Sequence, residues 1–325
     1  MTGNIMSSFK GLKKIRIGFL STIYHTSFIL MFNGWIEEKL KIKIEWELYG
    51  TGPSIIEDFI KKKLDIGYIG LPPTLIGIDK GATIKCVAGG HVEGTLMVAH
   101  NYYRSFSEVN RSIKLVLEQF KGKVIGVPRK GSIHDIILRN EIEKFGLSEI
   151  IQVKNYDISD FMLVDMQDNV VDAAVGTPAL AILLNQHLNT KIIISPANWW
   201  PYNPSYGIIV SEFLIDNYPE VIEIFVELHK DACKLLREKP KEVAKLVETE
   251  VGLFKENFIL ETFKISPKYC SALPEEYVNS TMKFVKILRK LGYIEKKIGK
   301  SEIFNFSFIK KVHPEKHHYN IGLHL

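Results

Sequence analysis

Apolar and polar positions alternate along the chain in blocks whose period switches between two and about 3.6, the pattern of strands interleaved with helices. Ile15–Leu20 is a short apolar strand, the loop Ser21–Ser27 follows, and Phe28–Leu40 is an apolar, helix-like stretch. Ile42, Ile44, Trp46 and Leu48 then face Lys43, Glu45 and Glu47 in strict alternation, predicting a strand over Ile42–Tyr49. Pro53-Ser54 opens a helix, since proline suits a first turn, and Lys61-Lys62-Lys63 closes it at the negative end of its dipole. Strands follow at Asp65–Ile69 and Ile84–Ala88, around a helix Pro73–Lys80 stopped by Gly81. Leu96–Ala99 is strand-like, and its polar, aromatic exit His100–Arg111 predicts a crossing between two lobes.

A second series repeats the rhythm. Helix Ile113–Gln119 leads to strand Lys123–Val127, helix Ile133–Phe145, strand Ile150–Tyr156, helix Ser159–Gln167, strand Ala173–Val175, helix Ala179–Gln186 and strand Lys191–Ser195. Gly207–Ser211 reads as a strand crossing back, after which helices dominate: Glu212–Asn217, Glu220–Glu238, Pro240–Val251, Glu256–Phe263 and Glu275–Leu291. The end, Ile298–Leu325, is rich in Phe, His and Lys without a clear period, and is expected to pack partly on the body. The expected architecture is α/β with two lobes: residues 13–100 plus 200–300 form lobe I, 105–195 lobe II, and 301–325 a C-terminal tail.

Four turns share one design. Gly50-Thr51-Gly52-Pro53-Ser54 and Gly70-Leu71-Pro72-Pro73-Thr74 lie in the first lobe, Gly131-Ser132-Ile133 and Gly176-Thr177-Pro178 in the second, each where a strand gives way to a helix. At that edge of a parallel sheet, helix N-termini offer free N–H groups and a positive dipole end. Facing lobes would converge the four on one cleft, and closure would strengthen them by excluding water.

These segments carry a resemblance. IRIGFLSTIYHTSF, YGTGPSIIEDFIKKKLDIGYIGLPPTLIGIDKGATIKCVAG, VIGVPRKGSIHDIILRNEIEKFGL, VDAAVGTPALA and NWWPYNPSYGIIVSEFLIDNYPEVIEIFVELHKDA span most of residues 15–250. The chain resembles the type II periplasmic-binding-protein fold, in the nitrate/sulfonate/taurine branch that also includes thiamin-pyrimidine precursor binders. The resemblance implies two α/β lobes joined by two crossings, a small-molecule solute in the hinge cleft, and an ATP-driven (ABC-type) importer whose permease is the partner. Enzymes of thiamin-pyrimidine and menaquinone synthesis share the fold, so a cytosolic enzyme acting on a cofactor precursor is the alternative, and a ligand sensor a third. Tyr24-His25-Thr26 is similar to the first loop of the pyrimidine synthase. That enzyme, however, carries a lysine and a histidine in the turn after its third strand, where this chain has Leu71, Pro72 and Pro73, and its cysteine-rich iron motif is absent.

Candidate ligand contacts follow from these placements. Ser21, Tyr24 and His25 fill the first loop; Thr51, Ser54, Leu71 and Thr74 stand at the first-lobe turns, Ser132 and Thr177 at the second-lobe turns. His91 follows the Gly89-Gly90 pair, a sequence that permits close approach of backbone or ligand. Trp199 and Trp200, ahead of Pro201-Tyr202, would wall the cleft where the chain crosses back. Arg129 could pair with a carboxylate, sulfonate or phosphate. Helix N-termini favour a small sulfonate- or carboxylate-like anion and the aromatics a small heterocycle; the residues alone do not choose.

Composition narrows the rest. A net charge of +5 is small beside 42 basic and 37 acidic residues in 325, and no basic-aromatic recognition motif occurs, so nucleic acid is not an expected partner. No G-x-S-x-G, H-E-x-x-H, Walker loop or G-x-G-x-x-G is present, and neither a catalytic group nor a cofactor is expected. Cys86, Cys233 and Cys270 stand far apart without metal-type spacing, and are read as small apolar fillers in a reduced compartment, with no metal. No stretch has the length of a transmembrane helix, so an integral membrane protein is not expected. The first twenty residues lack an apolar export segment, so the expected location is cytoplasmic as written, or extracytoplasmic if the start is truncated or misassigned.

Overall fold

The computed structural model describes residue 9 and residues 11–324. The chain runs β1 (Lys14–Leu20), α1 (Ser27–Asn33), α2 (Trp35–Leu40), β2 (Lys43–Tyr49), α3 (Gly52–Ile60), β3 (Ile66–Ile69), α4 (Leu71–Asp79) and β4 (Ile84–Val92). It continues as β5 (Leu96–His100), α5 (Ile113–Glu118), β6 (Val124–Pro128), α6 (Ile133–Lys144), β7 (Gln152–Tyr156), α7 (Phe161–Gln167), β8 (Ala173–Gly176), α8 (Pro178–His187) and β9 (Thr190–Ile194). Then come α9 (Pro196–Trp199), β10 (Pro204–Ser211), α10 (Glu212–Asn217), α11 (Pro219–Glu238), α12 (Pro240–Val251), α13 (Glu256–Ile265), α14 (Glu275–Lys290), α15 (Lys300–Ile303) and α16 (Ser307–Val312).

The strands form two five-stranded sheets with matching orders, β2-β1-β3-β10-β4 and β7-β6-β8-β5-β9. In each, three consecutive βα units lie parallel, their strands joined by helical crossovers, and the fourth strand, β10 or β5, runs antiparallel to its neighbours. Central β3 and β8 are buried at every residue, while β1 is exposed at Lys14 and half-buried at Arg16 and Leu20.

Three differences from the sequence reading have clear causes. The first crossing falls at residues 93–95, not 100–111, because β5 pairs with β8 and β9 in the second sheet. The apolar stretch Phe28–Leu40 is two helices, because Gly34 takes a left-handed conformation (φ 62) that ends α1 and starts α2. β4 extends to Val92 because the bare backbone of Gly90 lets the Tyr206 ring lie against it, where a Cβ would collide.

The crossings, residues 93–95 and 195–203, meet at Glu93. Its amide donates to Asn203 O at 2.8 Å, and its carboxylate accepts from Tyr202 N at 3.0 Å and Lys268 Nζ at 2.8 Å. Glu93 is buried and sits at positive φ (65), a strained conformation for a residue with a side chain. The helical C-terminal part covers lobe I: α11 and α16 lie on β4, and α14 lies on α4. The tail packs there too, its Phe304 bridging to Cys86 and its Tyr319 fully buried. α13 also rests on α8 of the second lobe, so the C-terminal part touches both.

Glu93→Ala removes the carboxylate, keeps the strain and leaves Lys268 and the Tyr202 amide without their partner. It is expected to destabilise by about 2–4 kcal/mol in urea unfolding. A loss within about 0.5 kcal/mol of wild type, the range of ordinary surface changes, would mean that this hinge carboxylate is not structural.

Candidate ligand-binding cleft

A cavity of about 470 Å³ opens between the lobes. Its polar wall is built by the four sequence-predicted turns: Thr51 and Gly52 at α3, Gly70 at α4, Ser132 at α6, and Thr177 at α8. Ser132 Oγ accepts from Asp135 N at 3.2 Å and Thr177 Oγ1 accepts from Leu180 N at 3.3 Å. Each cap uses an oxygen lone pair, so both hydroxyl hydrogens stay available to donate to a ligand. Pro53, Pro72, Pro73 and Pro178 carry no N–H, so these first turns offer few direct donors and act chiefly through their dipoles.

Most of the remaining lining is apolar. Phe28, Met31 and Phe32 share one face of α1, Leu183 comes from α8, and Phe254 and Phe258 come from the α12–α13 corner. No lysine or arginine lines the cavity among the described residues, and Asp160 is its one carboxylate.

Two histidines line it, and burial keeps both neutral. His134 bonds Thr95 Oγ1 through Nδ1 at 2.9 Å, and desolvation pushes its pKa down to about 4. His25 lies against the Tyr206 ring (centroids 4.1 Å apart); burial first, then the nearby His91 and His229, hold it well below the ordinary value. Under it lies a fully buried layer of Tyr68, His91, Tyr206, His229 and Tyr269. His229 joins Thr26 Oγ1 (2.9 Å) to Gly89 O (2.8 Å), and His91 Nε2 meets Ser266 O and Oγ, both at 2.9 Å. Burial pushes His229 down to about 4 and His91 down to about 3.

Of the residues expected from sequence, Ser21, Tyr24, His25, Thr51, Ser132 and Thr177 come together on this cavity. Six others lie elsewhere. Ser54 Oγ bonds Thr51 Oγ1 at 3.0 Å and accepts from Arg129 at 2.9 Å. Thr74 donates its hydroxyl to Gly70 O at 3.0 Å, and Leu71 is buried in the core. His91 is in the layer below. Trp199 and Trp200 belong to the core: Trp200 stacks on Phe284 at 4.3 Å and donates Nε1 to Ser280 Oγ at 3.0 Å, so the aromatic wall expected there is packing against α14 instead.

Sequence reasoning did not find Thr22, His134, Ser205 or the apolar wall. The Phe28-Met31-Phe32 spacing was visible as a helical stripe, but the α12–α13 corner reaches the cleft only through tertiary return. Arg129, expected as an anion partner, bridges the lobes instead, from Pro128 at the end of β6 to Ser54 and to Glu57 Oε1 at 2.8 Å. On the same flank Tyr293 OH donates to the buried Asp135 at 2.7 Å.

Two like-ordered α/β sheets, a paired crossing and a solute-sized cavity walled by helix N-termini define a two-lobe binding protein of the type II periplasmic-binding-protein fold. The chain belongs to the NMT1-like family, whose model matches residues 10–250. It is 25% identical over 313 residues to a putative aliphatic sulfonates-binding protein of Bacillus subtilis (strain 168), covering 93% of this chain and 89% of that one. Its fold matches the alkanesulfonate-binding protein SsuA from Xanthomonas axonopodis pv. citri bound to MOPS, with TM-score 0.76, 15% identity, and coverage of 90% and 98%. It likewise matches the periplasmic nitrate-binding protein NrtA from Synechocystis PCC 6803, with TM-score 0.74, 11% identity, and coverage of 94% and 89%. The named relatives are substrate-binding proteins rather than enzymes, and among the described residues no helix is long and apolar enough to cross a membrane.

The buried histidines set a pH dependence. Their folded pKa values lie below the unfolded value of about 6.5, so the unfolded chain binds more protons as pH falls. The stability they contribute is complete above about 6.5 and is lost as pH drops toward about 4. Within that window each costs about 1.4 kcal/mol per pH unit. The melting temperature should fall by several degrees between pH 7 and pH 5 in scanning calorimetry; a flat profile would mean that these rings already protonate freely in the folded state.

Proposed function

We propose that the protein captures an amphipathic organic anion, an alkyl sulfonate or a carboxylate of similar shape, between its lobes and passes it to an ABC-type importer. The observation that carries this reading is the mixed lining of one cavity. It presents helix N-termini with the hydroxyls of Ser132 and Thr177, and beside these the apolar side chains of Phe28, Phe32, Leu183 and Phe254. An anionic head suits the first and an alkyl chain the second. Among the described residues the wall carries no lysine or arginine and does carry Asp160, an arrangement that disfavours a small doubly charged inorganic anion. Trp199 and Trp200, packed in the core, offer a planar heterocycle no stacking surface. Family membership and the names of the relatives support the solute class, and the proposed delivery to a permease calls for a location outside the cytoplasm.

Calorimetric titration with alkanesulfonates of increasing length tests the reading. Each methylene should add about 0.8 kcal/mol, roughly fourfold in affinity, until the apolar lining is covered. Sulfate and nitrate should bind far more weakly. Equal affinity for sulfate and a long sulfonate, or no dependence on chain length, would sink the proposal.

Two substitutions place the contacts. Phe254→Ala should weaken a long-chain sulfonate by about tenfold or more while leaving the shortest nearly unchanged, a loss of about 1.5–3 kcal/mol of apolar burial. Trp200→Ala should destabilise the fold by about 3–5 kcal/mol. It should leave the affinity of the folded protein within twofold of wild type; a larger loss of affinity would return Trp200 to the binding site.

A further inference from the structure

Outside the lining of the cleft, the C-terminal tail brings two imidazoles to a buried thiol. Cys270 Sγ lies 3.3 Å from His313 Nε2 and 3.6 Å from His318 Nδ1, and the two nitrogens are 3.2 Å apart. A tetrahedral ion with bonds of about 2.3 Å to sulfur and about 2.1 Å to nitrogen spaces these ligand atoms about 3.6 Å (S···N) and about 3.4 Å (N···N) apart. The triangle is therefore already close to the size an ion requires.

The surroundings prepare each atom for ligation. His313 Nδ1 faces Glu315 O at 3.2 Å, so it carries the ring proton and leaves the Nε2 lone pair directed at the cluster. Backbone amides of Ala272 (3.5 Å) and His318 (3.3 Å) donate to Cys270 Sγ, the bonding a thiolate receives in metal loops. The thiol is fully buried and His313 nearly so, while His318 is partly exposed. His313 and His318 also line a surface cavity of about 570 Å³, which gives an ion an entry path and room for a fourth ligand such as water.

We infer that Cys270, His313 and His318 form a binding site for a borderline-soft divalent ion, Zn²⁺ by ligand type, that staples the C-terminal tail to lobe I. Ligand softness and number favour zinc over calcium or magnesium, which select oxygen. The staple has mechanical sense. The Cys270 amide donates to Gly90 O at 3.1 Å, and Tyr319 OH donates to Cys270 O at 2.6 Å, so the ion joins the tail to the segment that flanks β4 just before the crossing. Cysteine spacing gave no sign of it because a single cysteine contributes and the histidines stand 43 and 48 residues away. The site is separate from the cleft and independent of the solute.

Untagged full-length protein, stripped with a chelator and titrated with Co²⁺ and then Zn²⁺, decides the matter. About one Co²⁺ should bind, with a near-ultraviolet thiolate-to-cobalt charge-transfer band and intense tetrahedral d–d bands, both erased by Zn²⁺. Zn²⁺ should raise the melting temperature of the stripped protein. Cys270→Ser should abolish the charge-transfer band and weaken Zn²⁺ by more than about 100-fold, beyond the loss typical of outer-shell partners, while Cys233→Ser changes neither. Because Cys270→Ser disturbs a buried loop, His318→Gln is the second variant: it should keep the metal-free melting temperature and lose the Zn²⁺-dependent rise. Wild-type protein without a thiolate band or a Zn²⁺-dependent shift would overturn the inference. So would Cys270→Ser and His318→Gln variants that bind as wild type does.

Discussion

Glu93 occupies the point where both crossings between the lobes come together, and the geometry of the molecule hangs on how it is held. A carboxylate withdrawn from water is stable only when its charge is matched and its lone pairs are filled. Here Lys268 supplies the charge and Tyr202 the amide, while the Glu93 amide reaches Asn203. The first crossing is thereby bonded to the second, and both to the segment after α13. Sliding of one lobe over the other would break all three bonds, whereas bending about the shared point strains few of them. That asymmetry is what a hinge needs, and it explains why a left-handed glutamate is tolerated where glycine would be the unstrained choice.

The cleft that this hinge serves carries no lysine or arginine in its wall among the described residues. Its two histidines are neutral because they are buried, and its polar wall consists of helix N-termini and the hydroxyls of Ser132 and Thr177. Such fixed dipoles need no reorganisation on binding, and they gain strength as water leaves. Prolines in the first turns trade direct N–H donors for rigid placement of the remaining ones. Arg129, the nearest guanidinium in sequence to this wall, is engaged by Ser54 and Glu57, so it holds the lobes together rather than the solute.

Local signals made the fold legible. Strict alternation over Ile42–Tyr49, proline at first helical turns and the repeated strand–glycine–helix device each act over a few residues, and each matched the structure. The four helix N-termini were readable for the same reason, together with Ser21, Tyr24 and His25, which a loop after a central strand must deliver to the sheet edge. Long-range partners decided what was misread. Nothing around Leu96–Ala99 says which sheet it joins; pairing with β8 and β9 does. Trp200 looks alike in sequence whether it meets a solute or Phe284, and only the return of α14 chooses. Cys270 gave no metal signal because its neighbours His313 and His318 arrive from the far end of the chain.

The insertion of β10 between β3 and β4 reaches beyond the resting structure. The first sheet cannot be completed until residues 204–211 are present, and by then every strand of the second lobe has already been made. Emerging from a ribosome, the second lobe can close its own sheet at β9, while the first lobe waits with two apolar strands facing an unfilled gap. Loop-closure entropy across more than a hundred residues then slows the final pairing. The half of the molecule that is synthesised first is therefore the half that folds last, and its exposed strand edges are where aggregation would begin.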